Sequence, residues 1–290
     1  MVMHKVKIFT RSANIELYRY SQKLISLPYP RVRLYGTTAD GYLYQMLDDT
    51  DCDIAINIDE DAFVVDNEAL QSLVDYVLEK DIVCCGMPDG GQLPIRSFNP
   101  IVMNPFFNII NLKVIREKFN REEIEQFDYA LHRDELLKIL PTELRDYEGL
   151  KYDHYEPYYN FFFWLAHNFK IMYLVVAQHN DGCTTIVYNQ EHKPILLHTW
   201  WSREYGKDVI HTSRIKAIIQ EAYIKQNKKM PCMFFIKIRR WFESQMQQFD
   251  EWWDVWTKVG KGRWIISHLK KSPTYYCRRI KGLLKTNLES

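Results

Sequence analysis

No apolar run in this 290-residue chain approaches the ~20 residues that a membrane-spanning helix needs. The longest, Tyr158–Ala166 and Ile171–Ala177, are short and divided by polar residues. Glycine and proline are scarce, at 11 each, which excludes collagen-like and linker-dominated chains. The six cysteines form no CxxC pair and have no zinc-like spacing, so neither a disulfide framework nor a zinc ribbon is indicated. Cys84 and Cys85 sit in an apolar segment and read as buried small hydrophobes. Asn-x-Ser/Thr sequons are absent, and Met1-Val-Met-His-Lys lacks the sections of a signal peptide. The expectation is a soluble, non-exported protein in a reducing cytoplasm.

The charge is unevenly distributed. The net charge is only +1, yet residues 1–227 hold 24 basic and 32 acidic side chains, against 14 and 5 in residues 228–290. The second segment also carries five of the eight tryptophans, Trp241, Trp252, Trp253, Trp256 and Trp264. An acidic body, residues 1–227, and a basic, Trp-rich helical extension, residues 228–290, are therefore expected, with the boundary near Gln226–Pro231. In the extension, Phe242, Met246, Phe249, Trp253 and Trp256 recur at steps of four and three, an apolar stripe on a helix. Basic residues interleaved with aromatics suit an anionic membrane surface. Packing on the body or dimerisation are the alternatives, and the acidic body counts against nucleic acid. A peripheral position on the inner face of the cell membrane is the corresponding expectation.

Within the body, strands are predicted at Lys5–Thr10, Val32–Tyr35, Asp53–Ile58, Ile82–Gly86, Phe107–Leu112 and Ile171–Val176. Helices are predicted at Glu16–Leu27, Gly41–Leu47, Asn67–Glu79, Arg121–Leu140 and Tyr158–Asn168. This alternation implies an α/β fold with a Rossmann-type, mainly parallel sheet flanked by helices.

The third strand ends in Asp59-Glu60-Asp61, after which apolar residues resume at once. Ligands of parallel sheets bind at the carboxyl ends of strands. Two carboxylates converging there repel unless a cation lies between them, and hard oxygen ligands select Mg²⁺ or Mn²⁺. The plain alternative is a solvated acidic turn. An aspartyl-nucleophile phosphatase, another alternative, would place such a pair on its first strand.

Strand, Asp-x-Asp tip and later elements together resemble the GT-A glycosyltransferases, which move a sugar from a nucleoside diphosphate to an acceptor. The resemblance covers roughly residues 5–205. It rests on Phe9-Thr-Arg-Ser-Ala, Asn57-Ile-Asp-Glu-Asp-Ala-Phe-Val, Gly86-Met-Pro-Asp-Gly-Gly, Asn104-Pro-Phe-Phe-Asn, Tyr152-Asp-His-Tyr-Glu-Pro-Tyr and His198-Thr-Trp-Trp. It implies that Asp61 ligates a divalent metal on the diphosphate and that Asp59 serves the metal or the donor ribose. Glu60 then points away, Thr10, Arg11 and Ser12 hold the nucleotide, and His198 completes the metal shell. Glu156 is the favoured general base, ahead of Asp153, with Pro157 placing it in the first turn of the following helix; Asp89 is a fallback in what is otherwise a turn. N-terminal capping is the plain alternative for Asp153 and Glu156. The implied partners are a nucleoside-diphosphate sugar and a glycan or lipid-linked acceptor, in cell-surface or lipopolysaccharide synthesis. A non-catalytic binding module and a phosphate-ester hydrolase remain as rivals. Phe106, Phe107, Tyr158 and Tyr159 are either sugar platforms or core, and His167, His179 and His192 read as surface or packing residues.

Overall fold

A computed structural model describes residues 4–231 apart from 36, 39 and 148–155. Asp153 and the whole apolar stripe of the extension therefore lie outside the described residues.

The sheet begins with β1 (Val6–Arg11) between two parallel neighbours, β2 (Arg31–Leu34) and β3 (Ile54–Ile58). Two short crossovers, α1 (Ile15–Leu24) and α2 (Gly41–Asp48), connect them. After β4 (Ala62–Val64), α3 (Asn67–Glu79) leads into β5 (Cys84–Pro88). The α3 prediction holds at both ends. Asp66 caps it by accepting hydrogen bonds from Glu68 N and Ala69 N, a device of about 1 kcal/mol, and Leu70, Leu73, Val74 and Val77 form its buried face.

β6 (Met103–Asn111) runs antiparallel between β3 and β5, and β7 (Ile171–Tyr173) pairs parallel with β5. The order β2-β1-β3-β6-β5-β7 is thus a mainly parallel sheet, as expected for a Rossmann-like α/β fold. Burial on both faces explains the unbroken apolar character of β3, where Ile54, Ile56 and Ile58 enter one core and Ala55 the other. Cys84 and Cys85 are likewise divided between the two cores, both fully buried.

Three expectations need correction. The single helix expected at Arg121–Leu140 is two, α5 (Arg121–Glu125) and α6 (Tyr129–Ile139), following α4 (Leu112–Lys118). Asp128 starts the second by accepting from Ala130 N, which resets the helical period. α7 (Thr142–Arg145) and α8 (Tyr159–Asn168) follow. The strand expected at Ile171–Val176 also divides: after β7 the chain leaves for β8 (Val176–Gln178) in another sheet. Gln92 holds that corner, its amide donating to Leu174 O and its oxygen accepting from Val176 N. Finally, an unforeseen second sheet, β4-β10-β9-β8, contains β9 (Thr185–Tyr188) and β10 (Pro194–His198). α9 (Val209–Lys225) packs its buried Ile215, Ile218, Ile219 and Ala222 into the same core. No described helix is long and apolar enough to cross a membrane.

Candidate functional site

Because β1, β3 and β5 run in one direction, Arg11, Asp59 and Asp89 emerge at one edge of the sheet. The antiparallel β6 starts at that edge and contributes Asn104 and Phe106. The second sheet delivers the remaining partner. β10 pairs with β4 so that His198 faces Ala62, directly beyond the acidic tip. Thr199 secures this junction, its N–H and hydroxyl both donating to Asp61 O at 3.0 and 3.2 Å.

All three acidic residues of the tip are buried, so a solvated turn is excluded. Asp59 Oδ2 accepts from Arg11 Nη2 at 2.6 Å, while its Oδ1 is buried with no hydrogen-bond partner among the described residues. Burial raises the Asp59 carboxyl and the neighbouring Asp61 adds to this, against the pull of Arg11. Asp61 Oδ1 lies 3.4 Å from His198 Nε2. Burial works against the charge on Asp61 too, but His198 and then Arg11 outweigh it and hold the carboxyl below its usual range. The two aspartates are therefore not equivalent: one is paired with a guanidinium and the other with an imidazole.

Glu60 turns from both, but inward. Its Oε2 accepts from Ser12 Oγ at 2.8 Å and from Asn14 N at 2.6 Å, closing the loop after β1. Burial, opposed by these bonds, pushes it up to about 8. Ser12 Oγ also accepts from Arg33 Nε, and Thr10 Oγ1 accepts from Gln22 Nε2 on α1. Of the three residues expected to hold nucleotide, Thr10 and Ser12 are engaged internally, and Arg11 is the one that reaches Asp59.

His198 stacks on Phe106 with ring centroids 3.8 Å apart, and Trp200 lies 4.3 Å from the imidazole. Trp200 and Trp201 both have positive φ, of 56° and 58°. Two consecutive bulky residues in the left-handed region cost of order 1 kcal/mol or more each. Bonds from Arg214 Nη2 to Thr199 O and Trp200 O, and from Trp200 Nε1 to Thr185 Oγ1, hold them there. The result exposes Trp201, stacked on His211, beside a stack in which Phe106 and His198 are buried and Trp200 half-buried. Phe106, Phe107, Tyr158 and Tyr159 are core residues.

Arg96, which the sequence did not mark, continues the site from Trp200, with its guanidinium 5.7 Å from that ring and 4.1 Å from Phe98. It donates to Asp89 Oδ1 and Oδ2 at 2.7 and 3.1 Å and to Tyr158 Oη at 2.9 Å. Asp89 also accepts from Asn104 Nδ2 and Tyr159 Oη and is fully buried. Its role as a fallback base is thereby overturned, since an acceptor hydroxyl has no path to a buried carboxylate whose two oxygens each already accept two hydrogen bonds. Gly90 completes the turn after it, where a Cβ would stand 1.9 Å from Phe98 O.

Glu156 remains about one-third exposed, with Oε1 3.8 Å from Arg96 Nη2. Tyr158 is the N-cap of α8, so Pro157 precedes the helix rather than opening its first turn. The Glu156 carboxylate bonds no helix N–H among the described residues; only its backbone oxygen accepts, from Tyr159 N.

Two carboxylates and an imidazole suit Mn²⁺ or Mg²⁺ chemically, and the unpartnered Asp59 Oδ1 is an oxygen suited to a cation. Asp59, Asp61 and His198 do not, however, close into one group of ligand atoms within 4.8 Å. Among the described residues, the group that does is His132, Glu135 and His167.

No family model and no curated protein matches the chain. Among solved structures it is similar to A197 from STIV, at a TM-score of 0.34 and 13% identity over 66% of this chain and 93% of that one. It is also similar to a cytidylyltransferase from Leptospira borgpetersenii serovar Hardjo-bovis (strain JB197), at 0.32 and 12% over 79% and 100%. Scores this low carry no weight for the function of this chain.

Proposed function

We propose that the protein is a metal-dependent glycosyltransferase that moves a sugar from a nucleoside-diphosphate sugar to the hydroxyl of a glycan or lipid-linked acceptor. The observation that carries this reading is the buried tip at the end of β3, where Asp59 keeps one oxygen unpartnered and the second sheet brings His198 to Asp61. Burying charge without full compensation is costly, and a site that leaves it so is suited to a charged ligand.

Asp61 and His198, 3.4 Å apart, would hold the ion, which when bound offsets charge on the leaving diphosphate, and Asp59 Oδ1 is the nearby oxygen left open to it. Arg11 supplies a second positive group at the same edge and can pass from Asp59 to a phosphate oxygen, for which a guanidinium is well shaped. Glu156 takes the acceptor proton in an inverting transfer. As the acceptor oxygen bonds to the anomeric carbon, the bond from that carbon to the diphosphate oxygen breaks and the proton moves to the Glu156 carboxylate. Arg96 steadies that carboxylate from 3.8 Å. The exposed Trp201 ring offers a face for an acceptor sugar.

A thermal-shift screen of nucleoside diphosphates, with and without Mn²⁺, tests the reading. A ligand at a hundred times its Kd adds about 2.7 kcal/mol, or roughly 5–10 °C in a chain of this size. At least one nucleotide is expected to give that shift with Mn²⁺ and little without it. No shift with any nucleotide would leave the binding-module rival standing, and steady phosphate-ester hydrolysis without sugar transfer would favour the hydrolase.

A further inference from the structure

The three-ligand group lies away from the strand tips. His132 and Glu135 stand one turn apart on α6, and His167 is in the last turn of α8, against which α6 packs. Both imidazoles present Nδ1 to the same carboxylate oxygen, Glu135 Oε2, at 3.8 Å from His132 and 3.4 Å from His167. The imidazole centroids are 4.3 Å apart, and Phe127 lies against both, at 5.0 and 5.7 Å. We propose that His132, Glu135 and His167 bind a divalent transition-metal ion, Zn²⁺ foremost, that fastens α6 to α8.

The spacing carries the argument. A charge-assisted hydrogen bond between imidazolium and carboxylate closes to ~2.7–2.9 Å, and neither contact does so. Two donors each ~2.1 Å from one tetrahedral ion stand about 3.4 Å apart, the separation of His167 from Glu135. His132 needs only a small rotation to match. The ligand types agree, since two imidazoles and one carboxylate form a sound zinc set with a fourth position left for water. Mg²⁺, which prefers oxygen, has little claim on this set. Geometry within α6 helps as well, because residues at i and i+3 share a helix face. Phe127 limits the rotamers of both rings, which lowers the entropy lost on binding.

The same arrangement indicates what the ion does. α6 buries only Tyr129 and Leu136 fully, with Leu137 half-buried against the same core, so it is more lightly anchored than α8. α8 is deeply buried and begins with Tyr159, whose hydroxyl holds Asp89. His167 lies eight residues further on, about 12 Å along the helix axis. An ion here therefore ties a loosely held helix to the one that positions the Asp89–Arg96 network.

The test is calorimetric titration of the chelator-treated, full-length protein with Zn²⁺ in excess Mg²⁺. One zinc per chain is expected, weakened at least tenfold in both His132→Ala and His167→Ala. Substitution with Co²⁺ should give the intense visible absorption of a tetrahedral site, absent from the same variants. In an Asp61→Ala/His198→Ala variant this binding should persist, which separates it from the strand-tip site and from the proposed transferase. Zinc binding unchanged in both histidine variants, or lost only in the strand-tip variant, would overturn the proposal.

Discussion

Asp89 and the Asp59–Asp61 tip are buried carboxylate centres at the same edge of the same sheet, yet their surroundings differ in one respect. Asp89 receives donors on both oxygens, from Arg96, Asn104 and Tyr159. Burial raises its carboxyl and these partners pull it back, Arg96 foremost. At the tip, Asp59 has one oxygen bonded to Arg11 and one with no partner among the described residues, and His198 approaches Asp61 at 3.4 Å. A carboxylate whose lone pairs are all met holds neighbouring elements together, here β5, β6 and α8. One left incomplete holds less together and remains open to a ligand. Arg96 touches both regions, through Asp89 on one side and Trp200 on the other.

The comparison breaks most visibly in stability. Asp89→Ala leaves the Arg96 guanidinium and the Tyr159 hydroxyl without their acceptor, and removing one partner of a buried pair costs ~3–5 kcal/mol. Urea unfolding should show a loss of that size; a loss below ~1 kcal/mol would mean that saturation is not what makes Asp89 structural. Asp61→Ala should do the reverse. The protein stays folded, with a smaller stability loss than Asp89→Ala, while sugar transfer falls by about a thousandfold or more, corresponding to ~4 kcal/mol of transition-state stabilisation. Metal-dependent turnover at the normal rate in that variant would defeat the assignment. Glu156→Gln sharpens the comparison on the acceptor side. It should lower kcat by about a hundredfold, as loss of a general base does, with donor binding unchanged. Full activity would return Glu156 to a role in the loop before α8.

Much of this site was legible because it is local. Residues 54–61 declare a buried strand and its acidic end, and Asp66 with the spacing of Leu70, Leu73, Val74 and Val77 declares α3. What could not be read depends on pairing at long range. β4 and β8 are three residues long, too short for a periodic pattern, and the pairing of β4 with the distant β10 is what brings His198 to Asp61. Arg96 stands in a loop with no motif around it, and its role exists only because β5, β6 and α8 converge there. The strand alternation that turns Arg11 toward Asp59 also engages Thr10 and Ser12 elsewhere, a distinction a loop motif alone cannot make. His167 reads as a surface or packing residue in the sequence for a related reason: the side chains it meets, His132 and Glu135, lie on α6, more than thirty residues earlier in the chain.

Asp181, in the turn between β8 and β9, extends the comparison to pH. It accepts from Cys183 N, Thr184 N and Thr184 Oγ1, and Arg214 Nη1 lies at 3.3 Å. Burial alone would raise this carboxyl, but the Thr184 hydroxyl, the two amides and Arg214 hold it down at about 2. Its unfolded value is ~3.9, so the folded state favours the ionised form. The stabilisation is complete above the unfolded value and is lost as the pH falls from ~4 through 2, and it amounts to about 2–3 kcal/mol. Asp181→Asn should therefore lower stability at neutral pH by up to that amount and flatten the acid limb of the stability curve, so that the two proteins converge near pH 2. Parallel curves from pH 7 to pH 2 would show that the turn is held by something other than this charge. Because Arg214 also bonds Thr199 O and Trp200 O, a local loosening should appear as faster amide exchange at the strained tryptophans, while the Asp89 network, which shares none of these bonds, keeps its protection.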